Sequence, residues 1–197
     1  RVYIAPHPES GENDYKWNWN TPLLVSPHDP KRLYYAAEYL FRSDDRGDSW
    51  RKVSPDLTRK IDRNKLEVMG RVWGVDTIAK NDSTSMYGAA IMISESELQE
   101  GLIYVGTDDG VINVTEDGGA TWSQTTSFAG VPDMTYVDDV QASMHDVNVV
   151  YAVMENHKRG DNKPYVLKST NKGKSWKSIA SNLPTNGFAH TIAEDHI

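Results

Sequence analysis

The sequence predicts an all-β fold, a β-propeller fragment of about three four-stranded blades with partial blades at both ends. Two observations carry that prediction. An octamer recurs three times, and each copy is embedded in the same order of short β-prone runs separated by Gly, Pro, Asp and Asn. Composition agrees with thin sheets stacked on one another: only 38% of residues are hydrophobic, yet six Trp and ten Tyr supply large apolar surfaces.

The octamers are Ser43-Asp44-Asp45-Arg46-Gly47-Asp48-Ser49-Trp50, Thr115-Glu116-Asp117-Gly118-Gly119-Ala120-Thr121-Trp122 and Ser169-Thr170-Asn171-Lys172-Gly173-Lys174-Ser175-Trp176. All obey [Ser/Thr]-x-[Asp/Asn]-x-Gly-x-[Ser/Thr]-Trp. A hydroxyl at the first position and a carboxylate or amide at the third can bond nearby backbone and close a turn. Gly47, Gly119 and Gly173 provide the left-handed backbone such a turn needs, and Trp50, Trp122 and Trp176 anchor it between sheets. A catalytic role for Asp45 or Asp117 fits less well, because a catalytic constellation is unique whereas these residues repeat. With Asn171 in place of Asp, the third turn is expected to be weaker than the others but kept.

Strands are expected in order around each octamer. A first run lies at Leu23 to Ser26, Ala90 to Ile93 and Val137 to Ala142. The second lies at Leu33 to Ala37, Leu102 to Gly106 and Val149 to Val153, and the third at Leu40 to Arg42, Val111 to Val114 and Tyr165 to Lys168. A last short strand follows each Trp. The octamers are spaced 72 and then 54 residues apart, against roughly 40 to 50 for a minimal blade. The surplus falls between Val53 and Ala89, with partial helix expected around Ile61 to Glu67, and in a shorter insertion from His157 to Pro164. The chain divides accordingly into the end of a preceding blade (1–20), a blade (21–58), a long inserted loop (59–88), two further blades (89–127 and 128–183) and the start of another (184–197). Three blades do not close a ring, so remaining blades, from the same or another chain, are expected as partners.

The octamers resemble the Asp-boxes of BNR-repeat proteins. The stretch Trp17 to Pro30, with Leu40-Phe41-Arg42-Ser43, Gly101 to Gly110 and Lys163-Pro164-Tyr165, is similar to bacterial BNR proteins described as VPS10-like or sortilin-N-terminal-like and loosely as glycosyl hydrolases. The resemblance implies an exported or surface-associated propeller with more blades. It also implies that the box turns lie on the face away from the ligand.

The opposite face would then gather Ser54 to Gly88, the turn at Asp108-Asp109-Gly110, and Glu155 to Pro164. Candidate ligand-face residues are Arg71, Trp73, Asp76 and Asp82 in the long insertion, with Asp138 and His190 near the central channel. The alternative for the insertion is an ordered capping loop. Adjacent on one strand, Asp138 and Asp139 should point to opposite faces and so cannot form an acid–nucleophile pair with each other. Asp108-Asp109-Gly110 suits a tight hairpin turn rather than a calcium loop.

A net charge of -7 without a basic run argues against nucleic acid. No apolar stretch is long enough for a membrane-spanning helix. The absence of Cys removes thiolate chemistry, and the six His residues show no zinc spacing, so neither metal nor cofactor is expected. The sequence thus favours a non-enzymatic binding or scaffold propeller with a protein, peptide or glycan ligand. The alternative is a glycoside hydrolase whose active site is completed by other blades.

Overall fold

The computed structural model describes residues 3–80 and 87–197. It contains three four-stranded antiparallel meanders arranged as consecutive propeller blades, and one small hairpin. The first blade is β1 (Leu23–Val25), β2 (Leu33–Ala36), β3 (Leu40–Ser43) and β4 (Arg51–Lys52), hydrogen-bonded in that order. The hairpin pairs β5 (Glu67–Val68) with β6 (Arg71–Val72). The second blade is β7 (Ala90–Glu95), β8 (Ile103–Thr107), β9 (Ile112–Thr115) and β10 (Ser123–Thr125). The third is β11 (Tyr136–Ala142), β12 (Val150–Asn156), β13 (Asp161–Ser169) and β14 (Lys177–Ser178).

The first strands are innermost. β11 packs on β7 and β8, and β7 meets β1 and β2. One apolar layer, with Tyr34, Leu40, Leu57, Ile93, Ile103 and Val105, glues the first blade to the second. A larger one, with Tyr104, Ile112, Val114, Val137, Val140, Met154 and Leu167, joins the second to the third. The second blade is covered on both sides, so β8 and β9 are buried at every position and read as continuous β-prone runs instead of alternating ones. At Gly106 the third blade presses so close that a Cβ would stand 2.5 Å from Val137. Residues before β1 cover the other side of the first blade, where Tyr15 and Trp17 stack into Phe41, Tyr35 and Tyr39.

Each octamer closes the hairpin between third and fourth strands. In the first, the Ser43 hydroxyl donates to Asp45 (2.7 Å) and accepts from the Gly47 N–H (2.8 Å). Asp45 accepts from the backbone and hydroxyl of Ser49 (2.9 and 2.5 Å). Thr115, Asp117, Gly119 and Thr121 repeat the pattern within 0.1 Å. In the third, Asn171 keeps all four contacts but reverses the last: its amide donates to Ser175 Oγ at 2.9 Å, where the carboxylates accept at 2.5 and 2.6 Å. Neutral bonds are longer and weaker than charge-assisted ones, so the turn survives the exchange with less stabilisation.

The glycine of the octamer has a second job. Gly119 adopts φ +106°, and a Cβ there would lie 2.3 Å from the Val53 carbonyl of the preceding blade. The turns therefore lean on the blade before them. Trp122 donates its indole N–H to that same Val53 carbonyl at 3.1 Å, and Trp50 donates to the carbonyl of Ile4. Trp176 packs beside Phe128 on the layer between the second and third blades.

Two seams at the C-terminal ends of the first strands are alike. Glu95 accepts from Ser26 (2.6 Å), Tyr34 (3.3 Å) and the Gly101 N–H, while His28 Nε2 meets the Ser96 carbonyl at 2.8 Å. Past the third blade, Glu194 accepts from Ser143, the Met144 N–H and Tyr151, and His145 Nε2 meets the Asp195 carbonyl. The seam between second and third blades lacks this device. Ala142 stands where the glutamate would, and the Tyr104 hydroxyl, equivalent to those of Tyr34 and Tyr151, is buried with no partner among the described residues. Of these three seams, the first and the third carry the glutamate and the middle one does not.

The long insertion is ordered at its start. Leu57 is buried and its carbonyl accepts from Asn113 and Gln124. Arg59 bonds Asp109 through both its backbone N–H and its Nε, each at 2.8 Å. The partial helix expected at Ile61 to Glu67 is a single 3-10 turn at Arg63–Lys65, followed at once by the β5–β6 hairpin. Gly70 at φ +79° and Met69 at φ +55° make that reversal instead of prolonging a helix. The shorter insertion also takes up regular structure: β12 and β13 extend past the blade, with a 3-10 turn at His157–Arg159 between them.

Candidate functional site: a cleft opposite the octamer turns

In an antiparallel meander the turns alternate ends, so the face opposite the octamers collects the starts of the first strands and the second-to-third turns. A cleft of about 970 Å³ opens on that face. Its wall comes from the lead-in to β1 (Asn18, Trp19, Asn20), from Tyr87 ahead of β7, from the β8–β9 turn (Asp108), from Met134 and Tyr136, and from Glu155, Asn156, Lys158 and Arg159 at the β12–β13 turn. Leu66 and Glu67 of the inserted hairpin complete it.

Asp108 is nine-tenths buried yet borders this cleft. Its Oδ1 accepts from the N–H groups of Gly88 and Ala89 (2.9 and 2.8 Å), and Asn18 donates to Oδ2 at 3.4 Å. Burial pushes the carboxyl up to about 6. The adjacent Asp109 charge acts in the same direction, against the backbone donors. Asp109 faces the other way, into Thr107 and the Arg59 backbone, and is an internal strut of the turn. Tyr87 and Tyr136 are both raised to about 12, chiefly by burial and then by nearby carboxylates, so each presents a neutral hydroxyl over the physiological range. Lys158 lies over the Tyr136 ring at 4.4 Å, and Arg159 is tied to the carbonyls of Asp133 and Met134. Trp19, 76% exposed, offers a free indole face in an open cleft.

At the lower edge, Glu155 is buried, with its Oε2 2.6 Å from His157 Nδ1. Phe188 stacks on His157 with ring centroids 4.6 Å apart. Asp138 bonds His190 through Nδ1. Strict alternation would turn Asp138 and Asp139 to opposite faces, but the two reach the same segment, since Asp139 accepts from Thr191 Oγ1 and the Ile192 N–H. The reason is a break in register between Val137 and Asp139 on β11, which leaves Asp138 as an extra, unpaired residue.

Of the ligand-face candidates, Asp138 and His190 come together beside Glu155. Arg71 and Trp73 come together elsewhere: the guanidinium lies 3.3 Å above the Trp73 ring, whose N–H donates to Val68, so they brace the inserted hairpin. Asp76 is exposed on the same loop, and neither it nor that pair borders the cleft. Asp82 lies outside the described residues. The twelve octamer residues, Ser43 to Trp176, are all on the far face. Sequence reasoning placed the Asp108 turn on this face but read it only as a hairpin turn, and it missed Trp19 and Tyr136. The available signal was positional: each sits at a first-strand start or a second-to-third turn.

No family model and no curated protein matches this sequence. Among solved structures, an ancestral GH74 enzyme superposes on 85% of this chain with a TM-score of 0.55 at 13% identity, and 19% of that enzyme is covered. The GH74 enzyme of Niastella koreensis matches 84% of the chain at a TM-score of 0.48 and 16% identity, over 18% of its own length. YCF48 bound to D1 peptide matches 84% at 0.47 and 14% identity, over 45% of its length. The chain thus spans about a fifth of the GH74 enzymes it resembles. Likeness at these identities shows the fold, and the fold is that of a β-propeller.

Proposed function

We propose that this propeller is a binding module whose cleft takes an extended glycan. The observation that carries the reading is Trp19: a large indole held 76% exposed in an open cleft, between the amides Asn18 and Asn20 and near the neutral hydroxyls of Tyr87 and Tyr136. The apolar C–H face of a sugar ring stacks on an aromatic plane, while its hydroxyls need donors and acceptors set around the rim. Leaving such a ring in water costs apolar surface, which a ligand would cover. Calorimetric titration with neutral oligosaccharides tests it. Trp19→Ala should weaken binding about tenfold or more with the melting temperature unchanged. Binding of peptides but of no saccharide would reject the glycan in favour of a peptide.

A second reading, glycoside hydrolysis, is favoured by Asp108 alone. A buried carboxyl at about 6 can hold a proton for a leaving oxygen, with Glu155 as a second carboxylate on the same cleft. Asp108→Asn keeps an acceptor for the Gly88 and Ala89 N–H groups. If the cleft is hydrolytic, that variant should bind saccharide but lose turnover by a factor of about 10³ or more.

A further inference from the structure

Asp138 and Glu155 stand on adjacent strands, β11 and β12, and His190 arrives from a third segment. Each offers a ligand atom within 4.8 Å of the other two. We propose that these three side chains bind a divalent transition-metal ion of the zinc class, completed by water or ligand at the cleft edge. Ligand atoms around a tetrahedral zinc lie about 3.3 to 3.5 Å apart, so small side-chain rotations close the site.

Three features beyond proximity support a cation here. First, the Asp138 and Glu155 side chains are only 11% and 3% exposed, so two carboxylates are drawn out of water side by side. Second, the nearby cations Lys158 and Arg159 have other partners, an aromatic ring and two carbonyls. Third, Glu155 is already oriented by a second layer: His157 Nδ1 holds one oxygen at 2.6 Å, and Phe188 clamps the His157 ring. Outer partners of this kind fix a metal's carboxylate ligands. Phe188 precedes His190 by two residues, so one segment delivers both the clamp and the imidazole. Two carboxylates with one imidazole suit zinc or manganese. Calcium, which takes six to eight oxygens, fits poorly.

The site shares Glu155 with the cleft but does not rest on the glycan reading, and its test uses metal alone. Chelator-treated protein is titrated with Zn2+ and, separately, Ca2+, without saccharide. One equivalent of Zn2+ is expected. His190→Gln, at a side chain 71% exposed and therefore safe for folding, should weaken it by about a hundredfold. Asp138→Asn should do the same, and His157→Ala should cost about 10- to 100-fold. His196→Gln should change nothing. Zn2+ should also slow backbone hydrogen exchange across residues 188–192. Absence of stoichiometric Zn2+ binding, equal affinity in His190→Gln, or Ca2+ binding as tight as Zn2+ would each overturn the proposal and leave the glycan reading untouched.

Discussion

Asp45, Asp117 and Asp108 show how one residue type serves two ends. Asp45 and Asp117 are held at about 2, first by the Ser49 and Thr121 hydroxyls and then by the backbone N–H groups of those residues. A carboxylate with a depressed pKa adds stability that is complete above its unfolded value near 3.8 and is lost as pH falls through about 2. Acid should therefore loosen the first two octamers while the third, closed by Asn171, has no such step. Carbon-13 titration of labelled Asp should show two carboxyls near 2, and Asp117→Asn should remove one of them. Asp108 has the opposite sign. With its folded pKa at about 6 against 3.8 unfolded, its cost is full above about pH 6 and fades as pH falls towards 4. Asp108→Asn should stabilise the protein at pH 7.5 by up to about 3 kcal/mol, with the gain gone near pH 4. A gain of that size together with a loss of binding or turnover would be the trade-off expected of a functional residue.

At the scale of the element, the octamer hairpins and the seams carry the testable energetics. Gly119→Ala forces a side chain onto the Val53 carbonyl and an L-residue into φ +106°. Gly130, at φ +79° with nothing within 4 Å of a Cβ, is the control. Both substitutions should cost about 1 to 3 kcal/mol for the backbone conformation. Gly119→Ala should cost clearly more, as read by urea unfolding, because it also displaces the preceding blade. Tyr104→Phe should be neutral or slightly stabilising, since its hydroxyl has no partner to lose, while Tyr34→Phe should cost about 1 kcal/mol. Much of this scale was legible in the sequence. The octamers marked the third-to-fourth hairpins, and the β-prone runs marked the strands. What was not legible came from irregularity and convergence. A register break on β11 sent Asp138 and Asp139 to one segment, and the partial helix expected at Ile61 to Glu67 shrank to one 3-10 turn, with φ-positive Met69 and Gly70 turning a hairpin just after it. The grouping of Asp138, Glu155 and His190 has no spacing signature, because its members come from three segments.

Across the whole molecule, the blades form a rigid frame with two unlike faces. The octamer face is held by repeated, locally closed turns that brace each blade on the one before. The opposite face is where repetition ends, and where Trp19, Tyr87, Asp108, Tyr136 and Glu155 gather from different blades into one cleft. Hydrogen–deuterium exchange of the protein with and without a bound oligosaccharide tests that division most directly. Protection confined to residues 18–20, 87–89, 134–136 and 155–159, with exchange at the octamer turns unchanged, is the predicted result. Protection centred on residues 43–50, 115–122 or 169–176 instead would contradict it and would place the ligand on the opposite face.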